Sequence, residues 1–101
     1  MNEKIFTIEK IKNAVTPVAD AYGAKKIALF GSYAKGEANE NSDIDLHLIE
    51  TVDAWGYFKL CGFRQDLETR LGVGVDFLTS GAMDRQVREE VVLGEVLIYE
   101  R

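Results

Sequence analysis

The sequence predicts an α/β domain in which about three helices flank a small mixed β-sheet, and three observations carry that prediction. Apolar residues recur at helical spacing in two long stretches, one ending at Gly23 and the other at Gly72. Four short apolar runs, Lys26–Phe30, Asp43–Ile49, Val75–Leu78 and Val96–Tyr99, read as strands. The first two runs are joined through Gly31-Ser32, a polar link to Asn41 and Asp43-Ile44-Asp45, an order of strand, tight turn, short helix, loop and strand.

Thr7 is placed to cap a first helix whose apolar positions are Ile8, Ile11, Ala14 or Val15, and Val18. Pro17, the only proline, lacks a backbone donor and is expected to bend this helix or open its last turns. Lys26 to Phe30 is a buried strand. Asp43 to Ile49 alternates, with Asp43, Asp45, His47 and Ile49 on one face and Ile44, Leu46 and Leu48 on the other. The second long helix is expected from about Asp53 to Leu71, burying Leu60, Phe63, Leu67 and Leu71. Val75 to Leu78 makes the third strand. A last helix from about Asp84 to Leu93 has Val87 and Val91 four apart and stops at Gly94, before the run Val96 to Tyr99.

With 101 residues, 47% of them hydrophobic and 29% charged, the chain is expected to form one domain over residues 1–101. A large polymerase with separate template-binding domains is excluded. A formal charge of -5 opposes attraction to a long nucleic acid. One cysteine cannot form an internal disulfide, and there is neither a leader-like N-terminus nor a membrane-spanning run, so a cytoplasmic, soluble protein is expected.

Two aspartates one residue apart on a strand point the same way, about 7 Å apart by strand geometry. Such a pair suits a shared metal site, because Mg2+ prefers oxygen ligands and two like charges this close need a cation. Gly31-Ser32 opens a short helix whose backbone N–H groups, with the Ser32 hydroxyl, can receive a phosphate; Gly31 keeps a side chain out of its path. If the first two strands are antiparallel, turn and aspartates share one sheet end. A crossover through the second long helix then lays the third strand parallel to the second and brings Asp76 to that end. Singly, each signal has an ordinary reading: a solvated strand face, a turn, a capped sheet edge. Their occurrence together and in order favours nucleotide chemistry.

Gly31-Ser32, ten residues and Asp43-x-Asp45 together resemble the signature of the polymerase beta-like nucleotidyltransferase superfamily. More narrowly, Ile27 to Ile49 is similar to the minimal nucleotidyltransferases (MNT), found beside HEPN-domain proteins in prokaryotic toxin–antitoxin pairs, and the likeness extends to Val75-Asp76-Phe77-Leu78 and Val96–Glu100. The resemblance implies that Gly31, Ser32 and Lys35 hold the triphosphate of ATP. It implies that Asp43 and Asp45 ligate a pair of Mg2+ ions and that Asp76 completes the site of the ion activating the attacking hydroxyl. Tyr33 and Lys35 stand where relatives frequently carry Arg; Lys35 keeps the charge, and Tyr33 puts one phosphate contact in question. The resemblance further implies an antitoxin that transfers AMP to a tyrosine of a HEPN ribonuclease toxin and releases pyrophosphate. Two other readings stay open: a nucleotidyltransferase for a small acceptor, and an antitoxin that neutralises its partner by binding alone.

His47 shares the face of the two aspartates and is expected to be a hydrogen-bonded part of the sheet. Cys61 is expected to be a buried, inert thiol. Trp55 and Phe58 lie off the apolar stripe, either as a partner surface or packed under a loop. Arg85 and Arg88 are expected to balance Glu89 and Glu90 on a wet face, and Leu97-Ile98-Tyr99 to form an edge strand, one route to a homodimer; a hetero-oligomer with the toxin is the other assembly expected.

Overall fold

The computed structural model describes residues 5–79 and 94–101; the helix expected over 84–93, with Arg85 and Arg88, lies outside them. The described elements are α1 (Ile8–Tyr22), β1 (Ala24–Phe30), α2 (Gly31–Ala34), β2 (Ile44–Thr51), α3 (Tyr57–Leu71), β3 (Val75–Thr79) and β4 (Val96–Glu100). The sheet order is β3-β2-β1-β4. β1 runs antiparallel to both β2 and β4, whereas β2 and β3 are parallel, joined by the crossover through α3. The sheet is therefore mixed, as expected.

Local chemistry sets the boundaries. Thr7 Oγ1 accepts from the Lys10 N–H at 3.1 Å, capping α1, and Gly23 ends it in the left-handed region at φ 85°. The helix continues through Pro17 to Tyr22, so its last turns stay closed. α3 starts at Tyr57 rather than near Asp53, because Gly56 takes an extended conformation and serves as its N-cap. Thr51 Oγ1 donates to the Asp53 carbonyl at 2.5 Å within the preceding bend. Gly72, again left-handed, closes α3 as the sequence suggests.

One apolar layer joins the sheet to α1 and α3. Ile11 and Val15 from α1, Phe63 and Leu67 from α3, and Ile27, Leu29, Ile44 and Leu46 from the strands are all fully buried. Phe63 lies at its centre, with its ring 5.3 Å from Tyr22, 4.9 Å from Trp55 and 5.3 Å from Phe77. Of the two readings for Trp55, packing is therefore the one found; Phe58 is 88% exposed. Cys61 is also exposed, contrary to expectation. It falls between Leu60 and Phe63 in sequence, but its helix position turns outward beside Tyr57, whose hydroxyl is pushed up in pKa chiefly by hydrogen bonding to the thiol. Tyr22 donates to Asp66 at 2.6 Å and Tyr99 to Asp20, tying α3 and β4 to α1.

Candidate active site

The crossover places three aspartates at one end of the sheet. Phe30, the last residue of β1, pairs with Asp45 on β2, and Asp45 pairs with Asp76 on β3. Asp43 lies just before β2, and its neighbour Ile44 donates its N–H to the Gly74 carbonyl at 2.9 Å, which fixes the approach of the β2 and β3 starts. Asp43 and Asp76 are exposed, and Asp45 is partly buried.

Two glycines make room for two of these carboxylates. Gly31 has φ 73°, and a Cβ there would overlap the Asp45 carboxylate. A Cβ on Gly74 would stand 2.7 Å from Asp43 Oδ1. Gly31 is expected to clear the approach of a phosphate; in the folded chain the side chain it makes room for is Asp45. The part played by Gly74 was missed, because its partner Asp43 is distant in sequence and only the parallel pairing of β2 with β3 brings them together.

The carboxylates act on one another. Burial raises the Asp45 pKa above its ordinary value, and the charges of Asp76 and Asp43 raise it further. Even so, among the described residues no three His, Cys, Asp or Glu side chains gather into a ready metal cluster. The arrangement is an electrostatically strained acidic end, open to solvent.

The turn after β1 is the single-turn helix α2. Ser32 is partly buried, and its carbonyl accepts from the Glu37 N–H at 2.8 Å. Tyr33 turns inward, 4% exposed, and its hydroxyl is 3.5 Å from the Phe6 N–H, so it belongs to the core. Lys35 caps the C-terminal end of α2, exposed, with Cε 4.0 Å from where a Gly94 Cβ would be. Its backbone N–H donates to the Gly31 carbonyl at 3.2 Å, and its side chain leans toward the segment leading into β4. His47 is buried, with Nδ1 2.9 Å from Glu95 Oε2, a hydrogen-bonded place in the sheet as expected.

Known proteins resemble this chain in sequence and fold. The model of the nucleotidyltransferase domain matches residues 8–99. A candidate protein adenylyltransferase of Methanocaldococcus jannaschii is 39% identical over 99 residues, covering 92% of this chain and 97% of that protein. The protein adenylyltransferase MntA of Thermococcus cleftensis is 28% identical over 92 residues, covering 87% and 92%. Among solved structures, a candidate minimal nucleotidyltransferase superposes with a TM-score of 0.76 at 29% identity, over 90% of this chain and 95% of that one. A toxin–antitoxin complex with AMP-PNP has the same fold, with a TM-score of 0.76 at 23% identity over 89% and 73%. With a match across nearly its whole length and the sheet order and acidic end described above, the chain belongs to the nucleotidyltransferase domain family.

Proposed function

We propose that this chain is a protein adenylyltransferase that transfers AMP from ATP to a hydroxyl, expected to be a tyrosine, of a HEPN ribonuclease toxin, and acts with it in the cytoplasm as an antitoxin. The observation that carries the reading is the register Phe30–Asp45–Asp76, with Asp43 beside it and the Gly31-Ser32 turn directly after Phe30. The names of the relatives support protein adenylylation, and a solved neighbour of the same fold is described as a tri-AMPylated Shewanella oneidensis HEPN toxin in complex with an MNT antitoxin.

The donor chemistry fits Mg2+. Carboxylate oxygens are its preferred protein ligands, and it is commonly held by one or two of them together with substrate phosphates rather than by a complete protein cage. The repulsion that Asp45 feels from Asp76 and Asp43 is what a divalent cation relieves. Asp43, Asp45 and Asp76 would hold a pair of Mg2+ ions, which supply charge neutralisation on the triphosphate and at the attacking oxygen. Ser32 and the backbone N–H groups of its turn receive phosphate oxygens, and Lys35 adds a positive charge. Asp76, exposed on β3 at the edge of the described sheet, meets the incoming partner hydroxyl and accepts its proton. The new bond joins that oxygen to the α-phosphorus, and the bond to the β-phosphate oxygen breaks, releasing pyrophosphate.

The test is the intact mass of the toxin encoded beside this chain, after incubation with it, ATP and magnesium. A gain of whole AMP units is expected. Neutralised toxin of unchanged mass would replace catalysis with simple covering of the partner.

A further inference from the structure

We propose that His47 is a positioning residue for nucleotide binding: by holding Glu95 across β1, it fixes the segment before β4 beside Lys35 and confines the lysine near the triphosphate. This rests on the reading of Gly31, Ser32 and Lys35 as the triphosphate site.

His47 follows Asp45 on the same face of β2, one alternation deeper in the sheet. It is 4% exposed, the one polar side chain in the buried set among the described residues. Its register partner on β1 is Ala28, and the partner of Ala28 on β4 is Leu97. To meet Glu95 Oε2 at 2.9 Å, the imidazole must therefore reach across the middle strand β1. Ala28, itself 1% exposed, is small enough to let it pass. β2 and β4 are not adjacent in the sheet, so this side-chain contact ties together strands that share no backbone ladder.

Glu95 directly precedes Val96, whose partner Leu29 is next to Phe30, so it lies toward the catalytic end of the sheet. Gly94 comes before it, and its missing Cβ would stand 4.0 Å from Lys35 Cε. From the strand bearing Asp45, His47 thus holds Glu95, and the adjoining Gly94 lies near the Lys35 stem with no side chain of its own between them. The end of a lysine stem loses considerable rotamer freedom when it is fixed, so a wall beside Cε reduces what ligand binding must still order. The wall is only as firm as its anchor, and a hydrogen bond to a carboxylate is among the stronger ones.

The experiment measures ATP affinity in magnesium by calorimetry on the full chain without partner, together with its melting temperature. Lys35→Ala should weaken binding, and His47→Ala and Glu95→Ala should each weaken it about three- to tenfold, less than the tenfold or more that a hydrogen bond to a charged group is itself worth, because the loss reaches the ligand only through Lys35. Combined with Lys35→Ala, neither should add to its effect. His47→Asn, whose amide N–H can stand in for Nδ1–H, and Glu95→Gln, which keeps an acceptor, should bind nearly as the wild type does. Because Glu95 is 17% exposed, its variants carry the test if His47→Ala does not fold. A lowered melting temperature with unchanged ATP affinity, or effects that add to that of Lys35→Ala, would overturn the proposal. A wild-type chain that binds no ATP is a different result, and removes the triphosphate-site reading along with it.

Discussion

The Asp45 carboxylate occupies the space that a Cβ on residue 31 would need. The turn after β1 and the central carboxylate are thus packed as one unit, and glycine is required twice over, for that contact and for φ 73°. Gly31→Ala should cost about 2–3 kcal/mol, the range for combined backbone strain and overlap, and should lower AMP transfer more than tenfold. Thermal melting and transfer to the toxin check the two parts separately.

Gly74 stands in a similar relation to Asp43, but more loosely. A methyl group there would meet Asp43 Oδ1 at 2.7 Å, and that side chain is exposed and can rotate away. Gly74→Ala should therefore change stability by less than about 1 kcal/mol while reducing transfer, because the displaced group is a proposed metal ligand. Unchanged transfer by the folded variant would show that Asp43 placement is unimportant.

Asp45 gives a prediction with a definite sign. Its pKa is raised by burial, then by Asp76 and Asp43, so the folded state favours the protonated form. Its contribution to stability is present at acid pH below its ordinary value of 3.8 and is lost as pH rises through the higher folded value. At neutral pH, Asp45→Asn should therefore stabilise the metal-free chain, by about 1 kcal/mol or less after allowing for solvent screening. Added magnesium should raise the melting temperature of the wild type more than that of the variant. Equal shifts would contradict a metal role for Asp45.

Phe63 tests the packing that carries the parallel crossover. It is fully buried against Tyr22, Trp55 and Phe77, and Phe63→Ala should cost about 3–5 kcal/mol in denaturant unfolding. A cost below about 1 kcal/mol would mean that α3 is not seated as described.

Much of the site was readable in the sequence because its geometry follows from chain order. A short link made β1 and β2 antiparallel, and a helix between β2 and β3 made them parallel, which placed Asp76 opposite Asp45. What could not be read depended on contacts between distant residues. Gly74 looks like an ordinary turn glycine until Asp43 lies against it, and Tyr33 looks like a motif position until its ring enters the core. Periodicity misplaced the start of α3 because Gly56 interrupts it, and misjudged Cys61 because one helix step separates an inward from an outward face.

The central claim is that Asp43, Asp45 and Asp76 perform transfer rather than merely shape a binding surface. Its most direct test is pyrophosphate release and toxin mass, measured together for the wild type and for Asp43→Asn, Asp45→Asn and Asp76→Asn, each shown to be folded and to bind toxin. The account predicts one pyrophosphate per AMP added by the wild type, and a loss of both by at least a hundredfold, about 2.7 kcal/mol of barrier, in every variant. Transfer at the wild-type rate by any of the three would contradict it.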